Sequence, residues 1–356
     1  MASTTMHALQ LVKYGSPEEA FSYNEQAPKP TIKSKHQVLV RVRAAGVNPV
    51  EAKVSTGNMK LATFTMKLPA VIGADFSGIV EEVGTAVKDF QVGDEVFGSL
   101  QLPMFLEGTF AQYTIVDTTK ASIAKKPANV SFEQAASAGI AFITAYQGII
   151  NNGKTFKNPD LRRKILIVGA SGGVGSYGVQ LGKAINKENT VVGICSGSNV
   201  EFVQSLGADR TVDYKDKAAY DAFITAEKGT FDIVFDCVGG EDYFNQLDPL
   251  LKKGGVYSTA VGPMAHGGSE YVGVTQVASM ASKLVYKKLF GRHAYYFIHG
   301  LPHGEFREKI ATFFESGAVH GTVTDDSNIV PLREGVRAFE KLHTHRTVGK
   351  IVLQMD

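Results

Sequence analysis

The run Lys164-Ile165-Leu166-Ile167-Val168-Gly169-Ala170-Ser171-Gly172-Gly173-Val174-Gly175 constrains this chain more than any other. An apolar strand leads straight into a cluster of small residues, and helix-forming sequence follows from Gly175 to about Ile185. A strand without polar alternation must be covered on both faces. The small residues form a tight turn whose backbone N–H groups can approach an anion at the positive end of the next helix. The spacing is A-x-G-x-x-G, with Ala170 where the first glycine of the dinucleotide fingerprint usually stands. Such a motif carries meaning only between a strand and a helix, within a series of βα units. Both conditions hold, so Ser171, Gly172, Gly173 and Val174 are predicted to cradle a pyrophosphate. A tight βα turn without a ligand is the plainer alternative.

The alternation continues downstream. Val191 to Cys195, Thr211 to Tyr214, Phe231 to Asp236 and Gly255 to Val261 read as strands, and Val200 to Leu206 as a helix closed by Gly207. This texture predicts a doubly wound parallel sheet. Upstream, Ser131 to Gln134 has the form of a capping box, opening a helix that should run from Ala135 to about Ile150. Before it, residues 6 to about 125 are short strands with glycine at the corners, such as the alternating Gln37 to Arg43, which suggests a small barrel. The last 40 or so residues return to that texture, and Lys350 to Leu353 is a strand able to close back on the barrel. An α/β chain of two domains is expected.

Composition removes other classes. Over 356 residues, 37 Lys and Arg against 35 Asp and Glu leave a net charge of +2, too small a field to recruit nucleic acid or an anionic membrane. Two cysteines, Cys195 and Cys237, are too few for a disulfide framework or an all-cysteine zinc site. No apolar run approaches 18 residues, and the N-terminus has neither a signal core nor an Arg-rich presequence. A cytoplasmic location is the simplest reading.

The second strand of the series bears on the cofactor. A site for NAD carries Asp or Glu near that strand's end, on the ribose 2′-hydroxyl. Here the strand ends Cys195-Ser196-Gly197-Ser198-Asn199. Hydroxyls and an amide can donate to a 2′-phosphate that a carboxylate would repel. Ser196, Ser198 and Asn199, with Tyr214 after the following strand, therefore predict NADPH. The plainer role for the Ser196–Asn199 loop is a helix N-cap, which at least one of these residues should also fill.

At this point the chain resembles the medium-chain dehydrogenase/reductase superfamily, most closely its zinc-free, ζ-crystallin-like quinone oxidoreductases. The likeness rests on Ala45-Gly46-Val47-Asn48-Pro49-Val50-Glu51, Gly73 to Val80, Val92 to Phe97, Phe142 to Tyr146, Gly169 to Gly175, Asp236 to Gly240 and Gly349-Lys350, in order over nearly the whole chain. Leu206 to Asp209, Asp213 to Lys215 and Phe290 to Phe297 also resemble mitochondrial reticulon-interacting oxidoreductases. The resemblance implies a GroES-like β-barrel catalytic domain from both chain ends, 1–130 and 305–356. A Rossmann domain over 131–304 would bind NADPH, with the active site in the cleft between them. It further implies hydride transfer to a quinone or an activated double bond, and a homodimer formed through an edge strand, for which Val256 to Val261 is the candidate.

Zinc-dependent relatives hold metal with Cys and His in the first domain. Here residues 1–130 lack Cys, their histidines are His7 and His36, and the ligand position falls near Asn48, so no metal site is expected. His343 and His345 read as a solvated helix end. By resemblance Asn48 lines the substrate cleft, where its amide could donate to a carbonyl oxygen as charge develops; a turn before Pro49 could equally use that amide. Where these relatives often have Tyr, this chain has Lys53, which could stabilise an enolate or simply face solvent, the plainer place for it. Thr144 would bond the nicotinamide amide, or its own helix backbone. Val238, Val261 and Gly262 follow central strands and would border the nicotinamide, Phe297 would flank it, and Lys350 would reach the cofactor. The aromatic, lysine-rich segment Met264 to Gly300 is a substrate lid or a dimer surface. An alkenal or enone double-bond reductase, and a non-catalytic NADPH-binding sensor or scaffold, are the competing functions.

Overall fold

The computed structural model describes residues 4–60, 63–101, 107–153, 158, 160–263, 273–298, 300, 305–306, 309 and 311–355. The chain forms two compact units, Met1–Ile143 with Leu301–Asp356, and Thr144–Gly300. In chain order the strands of the first segment are β1 (Thr5–Leu11), β2 (Phe21–Pro28), β3 (Gln37–Gly46), β4 (Ala70–Val71), β5 (Asp75–Val83), β6 (Glu95–Ser99), β7 (Tyr113–Asp117) and β8 (Ser122–Lys125). The second unit holds β9 (Lys164–Val168), β10 (Thr190–Cys195), β11 (Arg210–Asp213), β12 (Phe231–Asp236), β13 (Leu251–Thr259) and β14 (Ala294–Phe297). The returning chain adds β15 (Ile329–Pro331) and β16 (Val352–Gln354) to the first.

The first unit is the GroES-like fold. Its main sheet runs β15-β16-β3-β5-β6-β8, with β7 also on β3. The alternation of β3 holds in part: Val38, Val40 and Val42 are buried and Arg43 is exposed, but Leu39, on the face of Arg41 and Arg43, is buried as well. They join Phe76, Phe110, Phe339 and Leu353 in one core. Burying each such side chain contributes roughly 1.5–3 kcal/mol. As expected, the C-terminal strand closes on this sheet, with Val352 opposite Gly46 and Leu353 opposite Ala45.

The second unit is Rossmann-like, with an all-parallel sheet in the order β11-β10-β9-β12-β13-β14. Ile165, Leu166, Ile167 and Val168 of β9 are buried, as a central two-sided strand requires. Strand order reverses between β9 and β12, and ligands of such sheets bind beyond the carboxyl ends at that switch.

Two expectations are corrected. The helix foreseen from Ala135 to Ile150 is three pieces, Phe132–Ala136, Gly139–Tyr146 and a wider turn Gln147–Asn151. The Asp75 carboxylate causes the break: its Oδ1 accepts the Ile140 N–H at 2.8 Å, and a Cβ on Gly139 would lie 2.0 Å from that oxygen. The proposed edge strand near Val256 is also interior, because β14 pairs with β13 on its outer side. Its Ala-Tyr-Tyr-Phe sequence had been assigned to the Met264–Gly300 lid or dimer surface; 264–272 and 299 of that segment lie outside the described residues. No helix among the described residues is long and apolar enough to cross a membrane.

Candidate functional site

The turn after β9 is built for close approach. Gly169 has φ +72°, and a Cβ on Gly175 would sit 2.1 Å from the Gly169 carbonyl oxygen, so the Gly173–Ile185 helix starts against the turn only with glycine there. Gly172 faces the other way: a Cβ there would meet only Gly169 O, at 3.4 Å. Gly172 is also the N-cap, so no side chain caps the first N–H groups of this 13-residue helix. Space in front of uncapped amides at a helix N-terminus fits a pyrophosphate.

The second loop is tied to the first. Asn199 Nδ2 donates to Ser171 Oγ at 3.0 Å, Ser198 Oγ to Asn199 Oδ1 at 3.4 Å, and Ser196 and Ser198 hydroxyls lie 3.0 Å apart. The four residues predicted from separate motifs thus form one polar chain. The expected capping does not occur. Ser196 and Asn199 stand at N-cap positions of the turn Gly197–Asn199 and the helix Val200–Ser205, but neither side chain bonds its helix. Asn199 instead turns its amide to Ser171 of the turn after β9, and the Ser196 hydroxyl pairs with Ser198.

A carboxylate does stand beside this loop. Reading along β10 alone missed Asp213, which parallel pairing places next to Cys195. A Cβ on Gly197 would be 2.5 Å from Asp213 Oδ2. Burial, then the Asp213 charge, pushes the Cys195 thiol up to about 11. Asp213 Oδ1 accepts the Lys215 N–H at 2.9 Å. Tyr214 is exposed, with the Lys215 ammonium 6.0 Å from its ring centre.

Beyond β12 and β13, one polar residue at each strand end shapes the loop. Asp236 Oδ1 accepts the N–H groups of Val238 and Gly239, both at 2.9 Å, and Oδ2 accepts the Tyr257 hydroxyl at 3.0 Å. Burial holds this carboxyl above its ordinary range. Thr259 Oγ1 accepts Val261 N–H at 3.2 Å and Gly262 N–H at 2.9 Å, and Gly240 N–H joins the loops through Gly262 O at 3.0 Å. Val238 packs on the phosphate turn: its Cγ2 would be 3.1 Å from a Cβ on Gly169. Phe297 ends β14 with Cε2 3.0 Å from where a Cβ on Gly262 would be. Ser171, Val238, Val261, Gly262 and Phe297 therefore gather at the carboxyl edge of one sheet. Asp236 and Thr259 were not foreseen; a polar residue at the carboxyl end of a central parallel strand is the signal that marks them. Thr144 is buried within the helix Gly139–Tyr146.

In the first unit, Asn48 opens the helix Pro49–Ser55. Its backbone N–H donates to Glu51 Oε2 at 2.8 Å. Its amide is spent at both ends: Nδ2 donates to Asp75 Oδ2 at 2.9 Å, and Oδ1 accepts the Lys350 ammonium at 2.6 Å. Two expectations change. Asn48 holds this cluster together rather than offering its amide to a carbonyl. Lys350, expected to reach the cofactor, is buried and also donates to Val47 O at 2.8 Å, with Asp75 Oδ2 at 3.5 Å. Glu51, quoted only as part of a motif, completes the group. Burial first, then the Asp75 charge, pushes its carboxyl up to about 8 against the pull of Lys350. Lys53 is half-buried rather than solvent-facing, and desolvation lowers its pKa. No carboxylate among the described residues pairs with its ammonium. No cluster of three or more His, Cys, Asp or Glu among the described residues is placed to hold a metal ion.

Comparison with known proteins agrees with this fold. The family described as "Alcohol dehydrogenase GroES-like domain" matches residues 34–128, and that described as "Zinc-binding dehydrogenase" matches residues 206–353. The chain is 31% identical to the mitochondrial NAD(P)H oxidoreductase RTN4IP1 of Homo sapiens, over 99% of this chain and 90% of that one. It is 32% identical to the chloroplastic NADPH-dependent alkenal/one oxidoreductase of Arabidopsis thaliana, over 89% of this chain and 72% of that one. Among solved structures, the quinone oxidoreductase from Coxiella burnetii superposes with a TM-score of 0.76 at 27% identity, covering 99% of each chain.

Proposed function

We propose that this chain, which belongs to the medium-chain dehydrogenase/reductase superfamily, is a zinc-independent, NADPH-dependent reductase of quinones or α,β-unsaturated carbonyls. The observation that carries the reading is the hydrogen-bonded run Ser171–Asn199–Ser198–Ser196 beside an uncapped, glycine-bounded helix N-terminus. Its hydroxyls and amide suit a phosphorylated ribose. Asp213 opposes a 2′-phosphate while Tyr214 and Lys215 favour one, and the polar run tips the balance to NADPH.

When bound, a reduced nicotinamide supplies the hydride. The chain's own residues then do the positioning. Backbone amides of Gly173 and Val174 would hold the pyrophosphate. Thr144 would hold the carboxamide. Val238, Val261, Gly262 and Phe297 would border the ring and keep water from it. Lys53, a half-buried cation without a carboxylate partner among the described residues, is assigned to the oxygen on which negative charge develops. The cluster Asn48–Glu51–Asp75–Lys350 fixes the helix that carries Lys53. The Zn-binding position of other dehydrogenases is replaced by this hydrogen-bonded group, so the reaction runs without metal. The likeness to an alkenal/one oxidoreductase supports an enone acceptor as the second reading. A cytoplasmic site of action and a homodimer complete the assignment.

The test is NADPH oxidation followed by absorbance, with 9,10-phenanthrenequinone and with a medium-chain 2-enal, repeated with NADH. Quinone-dependent oxidation, at least tenfold faster with NADPH, is expected. Turnover of the enal alone moves the assignment to double-bond reduction. NADPH binding without turnover on either acceptor leaves a sensor or scaffold.

A further inference from the structure

The helix Val274–Phe290 links β13 to β14 and contains no acidic residue. Thr275, Gln276, Ser279, Met280 and Lys283 share one face of it, and with Pro263 they line a cavity of about 310 Å³. That is the small end of the roughly 300–1,000 Å³ typical of ligand pockets. The cavity adjoins the site described above. Met280 Cε would lie 3.8 Å, and Phe297 Cε2 3.0 Å, from a Cβ on Gly262. Pro263 and Met280 supply its apolar side next to Gly262; Thr275 and Gln276 lie before Met280, with the Thr275 hydroxyl donating to Gln276 Oε1 at 2.8 Å, and Ser279 and Lys283 bring an exposed hydroxyl and an exposed ammonium one turn apart. Thr275 and Lys283 are about 12 Å apart along the axis at 1.5 Å per residue. The Lys283 ammonium has no carboxylate partner among the described residues. Lys287, one turn on, instead places its ammonium 2.9 Å from Glu241 and 3.2 Å from the Phe244 ring centre.

We propose that this cavity is a subsite for the distal end of the acceptor, and that it selects α,β-unsaturated carbonyl compounds carrying a terminal carboxylate on an apolar chain. The proposal rests on the reductase reading of the same site. The Lys283 ammonium, with the Ser279 hydroxyl one turn before it, matches a single carboxylate. A phosphate dianion would find only one cation.

The test compares a medium-chain 2-enal with its counterpart ending in a carboxylate, using NADPH and the whole chain, for wild type, Lys283→Met and Lys283→Arg. Wild type is expected to prefer the carboxylate-terminated acceptor. Lys283→Met should raise its KM about fivefold at unchanged kcat, the size of a partly exposed ion pair. Lys283→Arg should restore it, and the neutral enal should be indifferent to both changes. Equal KM values for the two acceptors, or equal effects of Lys283→Met on both, overturn the subsite while turnover upholds the reductase. If neither acceptor turns over, the reductase reading fails. Calorimetric binding of a saturated medium-chain monocarboxylate then decides the subsite: Lys283-dependent binding supports it, and no binding, or binding that survives Lys283→Met, overturns it.

Discussion

Glu51 and Asp75 are two buried carboxyl groups that share one ammonium, that of Lys350. Ionising both would leave an unbalanced charge in a low-dielectric interior, so one keeps its proton. Glu51 is that one, with its carboxyl pushed from 4.5 up to about 8. In the unfolded chain Glu51 loses its proton near 4.5, so between about 4.5 and 8 the folded chain binds more protons. Stability from this group is full below that window and falls as pH rises through it. Glu51→Gln mimics the protonated acid and should flatten the fall in urea-derived unfolding free energy between about pH 5 and 8. An unchanged slope would show that another group sets it. Asn48 and Lys350 could be singled out by resemblance, but not their partnership, because they are 302 positions apart. A sequence shows residue types at a spacing, and only the fold shows that the amide of Asn48 is already occupied. The glycine-bounded turn after β9 was legible as a turn for the opposite reason: its geometry is local, backbone and contiguous.

At the scale of elements, legibility followed the source of the order. β9, β10 and β12 announce themselves because burial on both faces demands unbroken apolar runs. The break after Ala136 was hidden, since its cause is a carboxylate on β5. β14 was hidden because a short aromatic strand looks the same as an aromatic lid. The helix Val274–Phe290 is a different case, since Lys287 is its one buried residue. Its ammonium is pinned by Glu241 and by the faces of Phe244 and Tyr295. Lys287→Met should keep the aliphatic contact and lose the pin. Hydrogen exchange should then quicken about tenfold in 274–290, a local opening worth roughly 1.4 kcal/mol, while amides of β9 and β12 keep their protection. Uniform loss of protection would instead mark Lys287 as part of the global core.

For the whole molecule, the exposed side of that helix matters most. Val277, Val285 and Leu289 are 45%, 55% and 66% exposed, and Val274, Tyr286 and Phe290 are also open. A patch of this kind suits an interface. It stands beside β14, the edge of the parallel sheet, and the self-complementary pairing of two copies proposed above would cover both. Light scattering should give twice the chain mass, and Leu289→Glu should return the monomer; a monomeric wild type refutes the pairing. The two-segment construction of the first unit also has a consequence for how the chain is made. β3 finds β5 and β7 early, but its partner β16, and the ammonium that faces Asp75, lie beyond the entire second unit. A ribosome moving at about 5–20 residues per second needs on the order of 10–45 s to travel from β8 to β16. Through that interval the nascent barrel waits with an open edge at Ala44 to Gly46 and with its carboxyl pair lacking a cation. The sheet begun by β3 is completed only once the chain has passed through the whole second unit.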